Sequence, residues 1–184
     1  MAYSEKRTQQ TLAVMRIVMG LMFLASGWYK VFTPQIYWQN FLDQVQSWVR
    51  GPAVDFYQPF LLNVVIDHPR VFASLIGMTE LFLGVGLLLG LAVRPVALIG
   101  MLYMLNLMCA TIFAPGPHAP MGAYVGAQVE HLATFFLLAT FAIAHAGETW
   151  GLGALYHHSR GLSVEHTDAN PLKPNETPVT HSRS

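Results

Sequence analysis

Polar residues almost vanish from four stretches of the chain, at about 12–32, 71–93, 96–113 and 129–146. At about 1.5 Å rise per residue the second stretch reaches ~34 Å, enough to cross the hydrocarbon core of a bilayer. Only Arg94 and Pro95 separate the second and third stretches, which predicts a tight hairpin. Pro95 suits the first turn of the third helix, where its missing N–H costs nothing. Between the first and second stretches the period changes. Trp38, Phe41, Leu42, Val45, Trp48 and Val49 recur at helical spacing, with Gln39, Asn40, Asp43, Gln44 and Gln46 between them. Thr33-Pro34 starts this helix and Gly51-Pro52 stops it. A second run places Tyr57, Phe60, Leu61, Val64 and Val65 on one face. These read as amphipathic helices on the outer surface, covering the mouth of a bundle. The pattern predicts an all-α membrane protein: an antiparallel four-transmembrane-helix bundle with outer amphipathic helices. Residues 1–11 form the N-terminus, 12–156 the transmembrane domain with its outer loop at 33–70, and 157–184 a polar, proline-punctuated tail.

Composition agrees with several spans in one domain. Charged residues make up 11% of the chain, against about 25% in soluble domains. The net charge is zero, so no basic field invites nucleic acid. The single Cys109 excludes an internal disulfide framework and a four-thiolate metal site, and it reads as a small buried core residue. MAYSEKRTQQ precedes a long apolar run with no small-residue cleavage site, and the run reads as a retained span. Lys6, Arg7, Arg16, Arg94, Arg160, Lys173 and Arg183 fall on one side of such a bundle and Lys30, Arg50 and Arg70 on the other. The bias places both termini in the cytoplasm. Trp28, Tyr29, Tyr37 and Trp38 form an aromatic belt at the outer interface.

Glu80 is the only charged residue within 71–93. An acid at that depth costs several kcal/mol unless it is paired, protonated or wet, which makes it a functional-site candidate. It shares a helix face with Gly77, Gly84 and Leu87, and small residues mark close helix approach, so Glu80 points into the bundle. Lys30, near the outer end of the first span, is its expected partner. Glu130 and His131 begin the fourth span near the outer surface, with Thr134 a turn away, and Tyr103 and Asn106 of the third reach the same level. Lys30, Glu80, Tyr103, Asn106, Glu130 and His131 are therefore the candidate ligand-binding residues. The competing reading is a dry polar knot that fixes helix register. A metal site built from His68, Cys109, His118, Glu130 and His131 is a further alternative, but no pair has helical ligand spacing and none is assigned. Gly86 and Gly90 have the spacing of a helix-contact motif. His145, His157 and His158 read as interfacial residues.

Three pieces carry a resemblance: RIVMGLMFLASGWYKVF, GMTELFLGVGLLLGL and AHAGETWGLGALY. Together they resemble the DoxX/DoxD-like family of small four-helix membrane proteins, over roughly residues 12–156. The glycine-flanked Glu80 carries most of it. Gly151-Leu152-Gly153 departs from the family's frequent Gly-Leu-Asp. The resemblance implies a multi-pass protein of a bacterial inner membrane. Its DoxD-type members resemble the membrane subunit of a thiosulfate:quinone oxidoreductase. The expected function is then an accessory subunit of a quinone-linked redox complex, with quinone as ligand and other membrane subunits as partners. Carboxylate plus histidine suits a quinone, whose reduction takes up protons with electrons. The chain has no flavin fingerprint, haem-attachment motif or cysteine cluster, so no intrinsic cofactor is expected. The alternatives are a small proton-coupled transporter titrating Glu80 and a purely structural subunit.

Overall fold

A backbone in lipid must satisfy its own N–H and C=O groups, so long apolar runs become helices. The computed structural model of this chain describes residues 2–116 and 118–144. The expectations for His145, His157, His158, residues 151–153 and the tail lie outside the described residues. Six α-helices follow one another: α1 (Ala2–Phe32), α2 (Pro34–Val49), α3 (Gln58–Phe60), α4 (Pro69–Leu89), α5 (Val93–Thr111) and α6 (Met121–Ile143). A π-helical turn at Leu61–Val65 continues α3. There is no strand among the described residues. α1, α4, α5 and α6 are each long and apolar enough to cross a membrane.

Two boundaries differ from the expected ones. The α4–α5 turn falls at Gly90–Ala92, before Arg94 and Pro95, which lie in the first turn of α5. Gly90 takes the left-handed conformation (φ 64°) that ends α4. Leu91 and Ala92 keep the turn apolar, which hid it from a hydropathy reading. α6 starts at Met121 rather than near 129; its first two turns mix Met121, Tyr124 and Val125 with two glycines, two alanines and a buried Gln128, which lowers the hydropathy there. Glu130 and His131 consequently sit near the middle of α6, well away from its start.

α4 packs chiefly against α1, and α5 against α6. The α1–α4 seam is built on glycines. Gly20 meets Leu88 and Gly84, while Gly27 meets Leu81 and Gly77, so contacts climb α1 as they descend α4. Without a hydrophobic force between helices in lipid, this approach provides the packing that holds the pair. Gly86 packs on Val96 of α5 and Gly90 caps α4, so the two do not act as one motif. Arg16, counted above as a flanking charge, is fully buried in α1.

The loop expected on the outer surface is folded onto the bundle. α2 buries Phe41 and Val45 against Ala53, Leu61, Val65 and Ala73. The amide of Val54 donates to the Cys109 carbonyl at 3.0 Å, and that of Phe113 to the Pro52 carbonyl at 2.8 Å. The loop is thereby fastened to the end of α5, where Cys109 is partly exposed rather than buried. Only Thr33 separates α1 from α2. Its amide and hydroxyl both reach the Tyr29 carbonyl, and its own carbonyl accepts from the Tyr37 amide, so hydrogen bonds run through the joint.

Candidate functional site

Three spans each send one polar side chain to a common point. Lys30 comes from the last turn of α1, Glu80 from the middle of α4 and Tyr103 from the middle of α5. Lys30 Nζ lies 2.5 Å from Glu80 Oε1. The Tyr103 hydroxyl donates to the same oxygen at 2.6 Å. The Lys30 ammonium also stands 5.5 Å from the Tyr37 ring centre, a cation–π contact supplied by α2. Glu80 is 4% exposed, so its charge is offset by protein groups rather than by water. Both donors go to Oε1, while Oε2 is buried and has no hydrogen-bond partner.

Glu80 lines a cavity of about 420 Å³. Lys30, Glu80 and Tyr103 form one part of its wall, and Glu130, His131 and Thr134 of α6 another. His131 Nδ1 is likewise buried with no partner. The apolar face of α2 roofs the space with Tyr37, Phe41 and Trp48, and adds one amide, Gln44. Burial and the nearby Glu80 carboxylate push the Tyr37 phenol above its ordinary range, so it stays neutral. Five of the six candidate residues therefore line one cavity. Asn106 does not. It lies three residues beyond Tyr103, roughly 60° short of a full helical turn, which takes it past the Tyr103 ring. There its side-chain amide donates to the Tyr57 hydroxyl at 2.7 Å. Burial raises the Tyr57 phenol, and the Asn106 bond partly offsets the shift.

Tyr37, Gln44, Ser26 and Thr111 also line the cavity and escaped the reading of charges in apolar spans. For Tyr37 a signal was present: it lies four residues before Phe41 and shares the buried face of α2. Among the described residues no three of His, Cys, Asp and Glu come together as a ligand set, so the grouping of His68, Cys109, His118, Glu130 and His131 is not formed.

Comparison with known families decides the affiliation. The DoxX family model matches residues 11–116, more than half of the chain. The chain belongs to the DoxX family. No curated protein and no solved structure matches it. The DoxX match spans α1 to α5 and so contains Lys30, Glu80 and Tyr103. It ends before α6, so the Glu130 and His131 wall lies beyond the segment that defines this chain as a DoxX protein. Four apolar helices in a DoxX chain make it a multi-pass integral membrane protein.

Proposed function

We propose that this DoxX protein is a quinone-interacting accessory subunit of a redox complex in a bacterial inner membrane. The cavity between Glu80 and His131 receives the ring head of the ligand. The observation that carries this reading is that two residues lining one space of about 420 Å³ each keep a buried polar atom without a partner, Glu80 Oε2 and His131 Nδ1. A buried polar atom left unpaired costs about 1–3 kcal/mol, and a ligand with polar functions on a flat apolar ring removes that cost at both atoms. Cavities of this size hold ring-sized ligands. As the acid of an ion pair, Glu80 only accepts hydrogen bonds. Its free oxygen therefore favours the hydroxyl-bearing, reduced form, while His131 Nδ1 faces the same ligand as donor or acceptor according to its tautomer. His131 and Glu130 supply places where a proton can be held. Electrons come from a partner subunit that carries a redox group.

A short-tailed hydroquinone titrated into the purified protein should bind, with heat and stoichiometry read by calorimetry. Replacing a charge-assisted hydrogen bond at Glu80 by the Glu80→Gln amide should weaken binding by about 10- to 100-fold. His131→Phe should weaken it too. Hydroquinone binding that is absent, or unaltered in both variants, rejects the reading.

The same reading puts both termini in the cytoplasm. With Arg16 buried and Lys30 paired to Glu80, the flanking charges are Lys6, Arg7, Arg94, Arg160, Lys173 and Arg183 against Arg50 and Arg70. Reporter fusions after Ser184 and in the Gly51-Pro52 loop should report opposite sides. The same side for both would overturn this topology.

A further inference from the structure

A second cavity, of about 390 Å³, adjoins the first. It lies between α4 and α5 on one side and α2, α3 and the π-helical turn on the other. Its character is different. Val45, Leu61, Val65, Phe72, Leu75 and Leu102 give it apolar walls, and the bonded pair Tyr57–Asn106 and Thr79 are its polar groups. Phe41, Trp48, Ile76, Tyr103 and Leu107 line both cavities. The two spaces thus share a partition of apolar and aromatic side chains. On the far side, Leu75 and Leu102 are 57% and 67% exposed within membrane spans, so the groove opens toward lipid.

We propose that this groove is a tail subsite: it takes the single long apolar chain of the ligand whose polar ring lies against Glu80 and His131. The proposal rests on the reading of the first cavity and extends it from a bare ring to a head-and-tail lipid. Adjacency is the first argument, because only side chains, Trp48 and Tyr103 among them, stand between a ring in the head cavity and the groove. Polarity is the second. The other side of the head cavity, between α1 and α6, carries the exposed Glu130 and Ser26. An apolar chain lying there would be set against polar side chains, which is unfavourable. The groove imposes no such cost. Hydrocarbon in the bilayer is as apolar as a leucine wall, so the groove adds little affinity. What it fixes is direction: a chain held in the groove sets which edge of the ring faces Glu80.

Because affinity is a poor readout, the test is proximity. Trp48 lines both cavities, so a variant keeping it alone (Trp28→Phe, Trp38→Phe, Trp150→Phe) reports on the groove. In nanodiscs, a hydroquinone carrying a brominated alkyl tail should quench most of the Trp48 emission saturably at low mole fraction. A brominated phospholipid at the same mole fraction should not. Leu75→Phe with Leu102→Phe, at the exposed mouth, should reduce the quenching while calorimetric binding of the short-tailed hydroquinone stays unchanged. Head binding without saturable quenching overturns the tail subsite and leaves the head site standing. Equal quenching by the phospholipid shows a groove filled by bilayer chains and also overturns it. Loss of head binding in the native protein rejects both readings together.

Discussion

Gly84→Ala is expected to destabilise the protein severely, and Gly126→Ala to leave it unchanged. A methyl group at Gly84 would stand 2.6 Å from the backbone nitrogen of Leu24 and 2.8 Å from its Cα. These obstructing atoms are backbone, so no side chain can rotate away and the α1 and α4 axes must separate. Overpacking a close contact costs about 1–3 kcal/mol and occasionally more, and a seam of backbone on backbone belongs at the upper end. Nothing lies within 4 Å of the corresponding position at Gly126. The two substitutions are chemically identical, so propensity and side-chain entropy cancel in the comparison. Thermal melting of the purified proteins in one detergent provides the check. Matching melting temperatures for Gly84→Ala and the native protein would refute the glycine seam.

Lys30→Met is the second large effect. It leaves Glu80, which is 4% exposed, with the Tyr103 hydroxyl donating to its Oε1. Removing one member of a buried ion pair costs about 3–5 kcal/mol, and replacing both members by neutral groups often costs little. Lys30 retains 18% side-chain exposure, so about 3 kcal/mol is the expected loss. The double variant Lys30→Met/Glu80→Gln should recover much of it, because no unpaired charge then remains. A double-mutant cycle measured by unfolding in detergent separates the pair from its surroundings. Additive single losses would show that the two side chains do not interact, against the observed geometry.

The large features of the fold and one end of the site were legible because they rest on strong energetic penalties. A lone acid in a lipid-length apolar run requires company, and that argument led from Glu80 to Lys30; Tyr103 entered only as a residue at the same level. Glycines spaced along the same face marked where helices meet. The readings that failed concern places where hydropathy changes little. Leu91 and Ala92 are apolar whether they lie in a helix or in a turn, so the turn was assigned to the polar Arg94 and to Pro95. The glycines, alanines and Gln128 in the first turns of α6 lower the hydropathy there, which moved the expected start to 129 and Glu130 and His131 toward the membrane surface. Asn106 shares a level with Tyr103 but not an azimuth, and level is all that sequence position supplies. The roof over the cavity depends on how α2 folds back, a tertiary contact between Phe41, Val45 and residues beyond 53 that no local pattern contains.

The Thr33 joint between α1 and α2 bears on how a ligand of the proposed kind reaches the cavity. Hydrogen bonds pass through it to Tyr29 and from Tyr37, and α2 is pinned beyond it by Phe41 and Val45. Lifting the roof toward water means breaking that joint and exposing those side chains, whereas the flanks of the bundle are already open to hydrocarbon. On the proposed function, loading therefore proceeds within the plane of the membrane. The concentration that governs occupancy is moles of ligand per mole of lipid, not moles per litre of buffer. Diluting the protein with extra lipid at constant total ligand should empty the site, and diluting the same vesicles with buffer should not.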